Sequence, residues 1–109
     1  MPEMTLREVC QSLGVSRRAV QGYEEAKLVS ASSRTGSGYL LYDDSARERI
    51  KQIKLFQDMG FTIKEIVAII DAPSEVRKAA LIMRREKLSQ NIAHETAMIE
   101  IIQEIINNL

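Results

Sequence analysis

Apolar and polar positions follow a helical period over most of this chain. From Thr5, the residues Leu6, Val9, Cys10 and Leu13 fall at i, i+3, i+4 and i+7, one face of a short helix. Its start reads as a capping box: the Thr5 hydroxyl can accept the Glu8 amide while the Glu8 carboxylate reaches back, with Met4 and Val9 as the staple. Gly14 lets the chain leave the helix and turn. A second helix follows the cap Ser16, flanked by Val15 and Val20, with Ala19, Val20 and Tyr23 facing inward and Leu28 closing its end. Two short helices joined by Leu13-Gly14-Val15 make a helix-turn-helix.

Residues 29–42 break the period. Small polar residues lead through Arg34-Thr35-Gly36-Ser37-Gly38 to the β-prone Tyr39-Leu40-Leu41-Tyr42, which predicts a β-hairpin wing turning at Gly-Ser-Gly. Asp43 then caps a helix that buries Ile50 and Ile53, with Phe56 and Leu55 as further core candidates, and stops at Gly60. Thr62-Ile63-Lys64-Glu65 repeats the capping box, stapled by Phe61 and Ile66. The helix it opens presents Ile63, Ile66, Val67 and Ile70 and ends before Pro73.

From Ser74 to about Asn107 the chain is one long helical pattern without Gly or Pro. It would extend roughly 50 Å, too long to fold back on so small a domain. Leu81, Leu88, Ile92, Ile99, Ile102, Ile106 and Leu109 form a near-heptad apolar stripe, interrupted at Arg85 and Glu95. Such a stripe needs a partner, most simply the same helix of a second copy, because monomers avoid large exposed apolar patches.

Composition narrows the function. With 45% hydrophobic residues the chain is globular rather than disordered, and two Pro and five Gly leave little material for an all-β fold. The formal charge is zero, which excludes a uniformly basic coat but not a local basic surface. Between Ser16 and Lys54 eight cations face five acids, whereas Glu95 to Leu109 holds three acids and no base. Cys10 is the single cysteine, so no disulfide closes within the chain and a reducing, cytoplasmic setting fits. The charged N-terminus has no signal-peptide pattern, and no apolar run exceeds the five residues of Ile66 to Ile70, too short for a membrane span.

No catalytic or metal constellation stands out. His94 is the lone histidine, far from any second ligand, and the acid pairs Glu24-Glu25 and Asp43-Asp44 are explained by helix ends. No phosphate loop, catalytic triad or zinc spacing is present. The expectation is a non-enzyme without cofactor or metal.

Function concentrates in the helix-turn-helix, whose second helix enters the DNA major groove with its N-terminal side chains at base edges. Here that turn is Ser16-Arg17-Arg18: free amides suited to a phosphate, with two guanidinium groups beside them. Arginine to guanine is the commonest specific base contact, and Gln21 could read an adenine. Arg34 puts a further cation on the wing, able to reach flanking backbone or minor groove.

The run TLREVCQSLGVSRRAVQGYEEAKLV, followed by RTGSGYLLYDDSARERIKQIKLFQDMGFTIKEI, resembles the DNA-binding domain of the MerR family of transcriptional regulators over Thr5 to Ile70. The resemblance implies a mainly α fold. A winged helix-turn-helix of four helices with a small β-hairpin wing (1–72) precedes a long coiled-coil dimerisation helix (73–109), with no separate effector domain. It implies an antiparallel homodimer that binds pseudo-palindromic promoter DNA and bends and untwists it, engaging RNA polymerase indirectly. It further implies that Arg18 contacts bases or backbone, that Tyr23 contacts phosphate, and that Arg34 and Tyr39 place the wing. From the residues alone, Tyr23 is first a core aromatic whose hydroxyl is available as well.

Two positions depart from the family pattern. Gln21-Gly22 precede Tyr23 where an aromatic or Arg is usual, and Leu40 follows Tyr39 where Arg is usual. These departures keep two other readings open: an excisionase-like architectural factor that bends DNA, and a dimeric interaction adaptor that has lost DNA binding.

Overall fold

The computed structural model describes residues 3–109. In chain order its elements are β1 (Met4–Thr5), α1 (Leu6–Leu13), α2 (Arg17–Glu25), β2 (Ser33–Arg34), β3 (Leu40–Tyr42), α3 (Asp44–Asp58), α4 (Ile63–Ile69) and α5 (Ser74–Asn107). Four of the five helix starts stand on side-chain caps. Thr5 accepts the Glu8 amide at 3.3 Å while Glu8 accepts the Thr5 amide at 3.0 Å, and Thr62 and Glu65 repeat the exchange at 3.2 and 2.9 Å. Ser16 accepts from the Ala19 amide at 3.0 Å and Asp43 from the Ala46 amide at 2.9 Å. Each bond satisfies a donor that the first helical turn leaves without a partner.

The chain forms two units, one ending at Asp71 and one running from Ala72 to Leu109. The first owns the hydrophobic core. Val9 of α1, Val20 and Tyr23 of α2, Tyr42 of β3, Ile50 and Ile53 of α3 and Ile66 of α4 are buried together with Val15, Leu28 and Phe61 from the connections. Fully burying such a side chain is worth about 1.5–3 kcal/mol, so this aliphatic set drives the unit's folding.

The wing is a three-stranded antiparallel sheet in the order β1-β3-β2, with Met4 opposite Tyr42 and Arg34 opposite Leu40. β1 is an element the sequence pattern does not announce. It is two residues long, too short to show alternation, and its Thr5 is also the cap of α1. At the wing tip the Gly38 amide donates to the Thr35 carbonyl at 2.9 Å and the Thr35 amide to the Tyr39 carbonyl at 2.8 Å. Gly38 turns there with φ of 88°, a conformation that favours glycine.

Two core expectations change. Leu55 is exposed and Val67 is exposed, while Ile69 is buried in Val67's stead. Phe56, the neighbour of Leu55, turns its ring edge-on to Phe61, with centroids 5.8 Å apart. Near a helix end one residue of phase decides which of two adjacent apolar side chains points inward.

The second unit contains one element, α5, of 34 residues. None of its residues is buried within the single chain.

Candidate nucleic-acid interface

The N-terminus of α2 is built by its cap. Because Ser16 holds the Ala19 amide, the first turn is fixed and Arg17 and Arg18 project from it, both exposed. Neither makes an ion pair among the described residues. Arg17 and Gln21 stand one helical turn apart, on one face of α2.

That face forms one side of an open groove. The start of α1, with Leu6 and Arg7, forms the second side, and the wing, with Arg34, Gly38, Tyr39 and Leu40, forms the third. Three guanidinium groups, from Arg7, Arg17 and Arg34, therefore meet at one concave surface whose lining includes no acid. The structure brings together Arg17, Gln21, Arg34 and Tyr39 of the sequence-derived set and leaves Ser16, Arg18 and Tyr23 outside the groove. Arg7 is the member the sequence reading missed. Its signal was available, because a cation in the first turn of a helix opposes the helix dipole, and local rules tend to be broken at functional sites.

Tyr23 is a core residue. Its ring is 2% exposed and its hydroxyl donates to Gln57 of α3 at 2.6 Å. Burial and the charge of Asp58 push its pKa up. The phosphate contact implied by the family pattern would require that hydroxyl to give up an internal partner.

A second tyrosine fastens the wing. Tyr42 of β3 is fully buried and donates its hydroxyl to Glu24 of α2, so Glu24 serves as more than a helix-end charge. Burial first, and Glu24 second, push the Tyr42 pKa far up. Within the wing, Arg34 donates to the Gly38 carbonyl at 3.2 Å, which holds its guanidinium over the turn. Tyr39, 67% exposed, stands beside it.

The basic region is narrower than its sequence count. Arg49 donates to the Leu28 carbonyl at 2.8 Å and grips Asp71 with both terminal nitrogens at 2.8 and 2.6 Å. Arg47 binds Asp44 and the Tyr42 carbonyl, and Lys54 pairs with Asp58 at 3.0 Å. Arg47 and Arg49 tie α3 to other parts of the fold and Lys54 pairs within α3, whereas Arg7, Arg17 and Arg18 have no ion pair among the described residues.

On α5 the stripe from Leu81 through Leu88, Ile92, Ile99, Ile102 and Ile106 to Leu109 is exposed throughout, from 37% at Leu81 to fully at Leu109. Met98, Ile101 and Ile105 are exposed as well and broaden the apolar face over the last turns. Among the described residues no group of His, Cys, Asp and Glu gathers in a metal-binding arrangement. Among them, too, no helix is long and apolar enough to cross a membrane.

Comparison with known proteins identifies the family and the fold. Residues 4–72 match the model of the MerR HTH family regulatory protein. The chain is 35% identical over 101 residues to the HTH-type transcriptional activator mta of Bacillus subtilis (strain 168), covering 93% of this chain and 39% of that protein. It spans less than half the length of such curated relatives. The crystal structure of the N-terminus of MtaN, the Bacillus subtilis multidrug transporter activator, superposes with a TM-score of 0.75 at 34% identity, over 94% of this chain and 97% of that one. The fold is also that of HiNmlR, a MerR family regulator lacking the sensor domain and bound to promoter DNA. There the TM-score is 0.70 at 16% identity, covering 96% of this chain and 88% of that one. The chain belongs to the MerR family of helix-turn-helix transcriptional regulators.

Proposed function

We propose that the protein is a homodimeric, sequence-specific regulator that grips promoter DNA with two copies of the arginine-lined groove and distorts it for RNA polymerase in the cytoplasm. The observation that carries this reading is the convergence of Arg7, Arg17 and Arg34 beside Gln21 on one acid-free surface. α2 supplies the base-reading residues Arg17 and Gln21, while Arg7, Arg18 and the wing's Arg34 and Tyr39 hold the flanking phosphates. Leu40 and Tyr39 give the wing side of the groove an apolar lining, suited to sugar and thymine-methyl contact rather than to a further ion pair.

The dimer is supported by charge as well as by the apolar stripe. Between Glu75 and Lys87, α5 carries five cations and two acids; from Glu95 onward it carries three acids and no base. Antiparallel pairing sets each basic half against an acidic half, whereas parallel pairing opposes like with like.

Gel retardation on the DNA upstream of the protein's own gene, across a salt series, tests the reading. With Arg7, Arg18 and Arg34 of each copy on phosphate, six cations give a log–log salt slope of about −5. Arg17→Ala is expected to cost about 1–3 kcal/mol and to relax specificity at one base pair per half-site. Arg7→Ala is expected to weaken all sequences alike and to flatten the slope by about 2 for a dimer. Retardation that is absent at low salt would remove DNA binding and leave the adaptor reading, and retardation indifferent to Arg7 and Arg17 would remove the groove as the surface that binds.

A further inference from the structure

Two polar residues interrupt the apolar stripe of α5, Arg85 and Glu95, and they lie ten residues apart. At about 1.5 Å per residue that separation is about 15 Å, so they cannot meet within one chain. Both are exposed in the single chain, where the nearest acid to Arg85 is its neighbour Glu86, 3.9 Å away. Placed at the seam of a helix pair, each would be a charge withdrawn from water, costly unless the other helix supplies its opposite.

Resting on the antiparallel dimer argued above, we infer the register of that dimer: the two-fold axis passes at the level of Gln90, and Arg85 of each chain pairs with the partner's Glu95. Three features converge on this alignment. It matches Leu88 with the partner's Ile92 and Leu81 with the partner's Ile99, apolar against apolar on both sides of the charges. It also brings Ser74 level with the partner's Ile106, so the whole of the helix Ser74–Asn107 overlaps its twin. Shifting the pair by one heptad in either direction leaves Arg85 opposite an apolar residue. One shift sets Arg85 against the partner's Leu88 while Glu95 meets the partner's Lys78; the other sets Arg85 against the partner's Ile102 and Glu95 against the partner's Ile92. The pair is thus the register lock of the rod, as a single polar residue fixes alignment in other coiled coils.

Charge reversal on the full chain, followed by sedimentation and light scattering, tests the lock. Arg85→Glu alone and Glu95→Arg alone each place like charges at two seam positions and are expected to weaken the dimer about a hundredfold or more. The double variant Arg85→Glu/Glu95→Arg restores both pairs between chains and is expected to recover the wild-type dissociation constant to within about tenfold. A double variant no tighter than the singles overturns the inference.

Cysteine pairing reads the register directly, in a Cys10→Ser background. Leu81→Cys with Ile99→Cys is expected to yield a covalent dimer, since the two sites of one chain are about 27 Å apart and cannot close on themselves. Leu81→Cys with Ile92→Cys or with Ile106→Cys reports the two one-heptad shifts. Cross-linking through either of these in a chain that is still dimeric overturns the register and spares the dimer. A wild-type chain that sediments as a monomer overturns both.

Discussion

Lys27 holds a backbone conformation that glycine adopts at lower cost. Its φ is 61°, and around it the Leu28 amide donates to the Tyr23 carbonyl and the Lys27 amide to the Glu24 carbonyl, each at 3.0 Å, closing the end of α2. A left-handed conformation costs an L-residue with a side chain about 1–2 kcal/mol. Lys27→Gly is therefore expected to raise the urea midpoint without changing the slope, by roughly 1 kcal/mol of stability. Gly22 is the converse case. It is helical, and a methyl group there would meet nothing within 4 Å, so Gly22→Ala is expected to add about 0.5–1 kcal/mol. At this scale the capping residues were legible because a cap is a local bond across three positions. Lys27 was not, because nothing in a lysine announces a left-handed turn. Arg7 was written in the sequence but stood next to a capping box that already explained its neighbourhood.

Among elements, the join between the wing and α2 is the Tyr42–Glu24 bond. Burial and the facing carboxylate hold the folded Tyr42 hydroxyl protonated well past the pH at which an unfolded tyrosine ionises. Above about pH 10 the unfolded state therefore releases a proton that the folded state retains, and stability falls as pH rises. In Tyr42→Phe this contribution is gone, so the alkaline limb of the unfolding curve is expected to be shallower. At neutral pH the same variant is expected to lose about 1–2 kcal/mol with the charge-assisted hydrogen bond. The helix-turn-helix and the hairpin followed from periodicity and turn chemistry. The strand β1 and the tyrosine's partner did not, since pairing between residues far apart in sequence leaves no local trace. The inversion of Leu55 and Val67 has a similar origin: both are apolar, and packing alone decides which neighbour faces the core.

Over the whole molecule, a formal charge of zero conceals a division of labour between a basic groove and a rod that is basic at one end and acidic at the other. The rod was legible because no Gly or Pro breaks it. The greater breadth of its apolar face near the C-terminus escaped a search for a single heptad line, as Met98, Ile101 and Ile105 lie on an adjacent row. Light scattering of the wild-type chain is expected to give twice 12.3 kDa. Ile99→Lys with Ile106→Lys is expected to halve that value, since each lysine must then be desolvated at the seam.

A helix with no buried residue of its own takes most of its stability from whatever it packs against. For α5 this ties persistence of the helix to the abundance of the protein. In the proposed dimer, newly made subunits would present a frayed, protease-sensitive helix until they find one another, a step that follows the square of their concentration. Under that proposal scarcity is converted into faster turnover of the unassembled form, and the expected occupancy of DNA by the assembled one rises more steeply than synthesis itself.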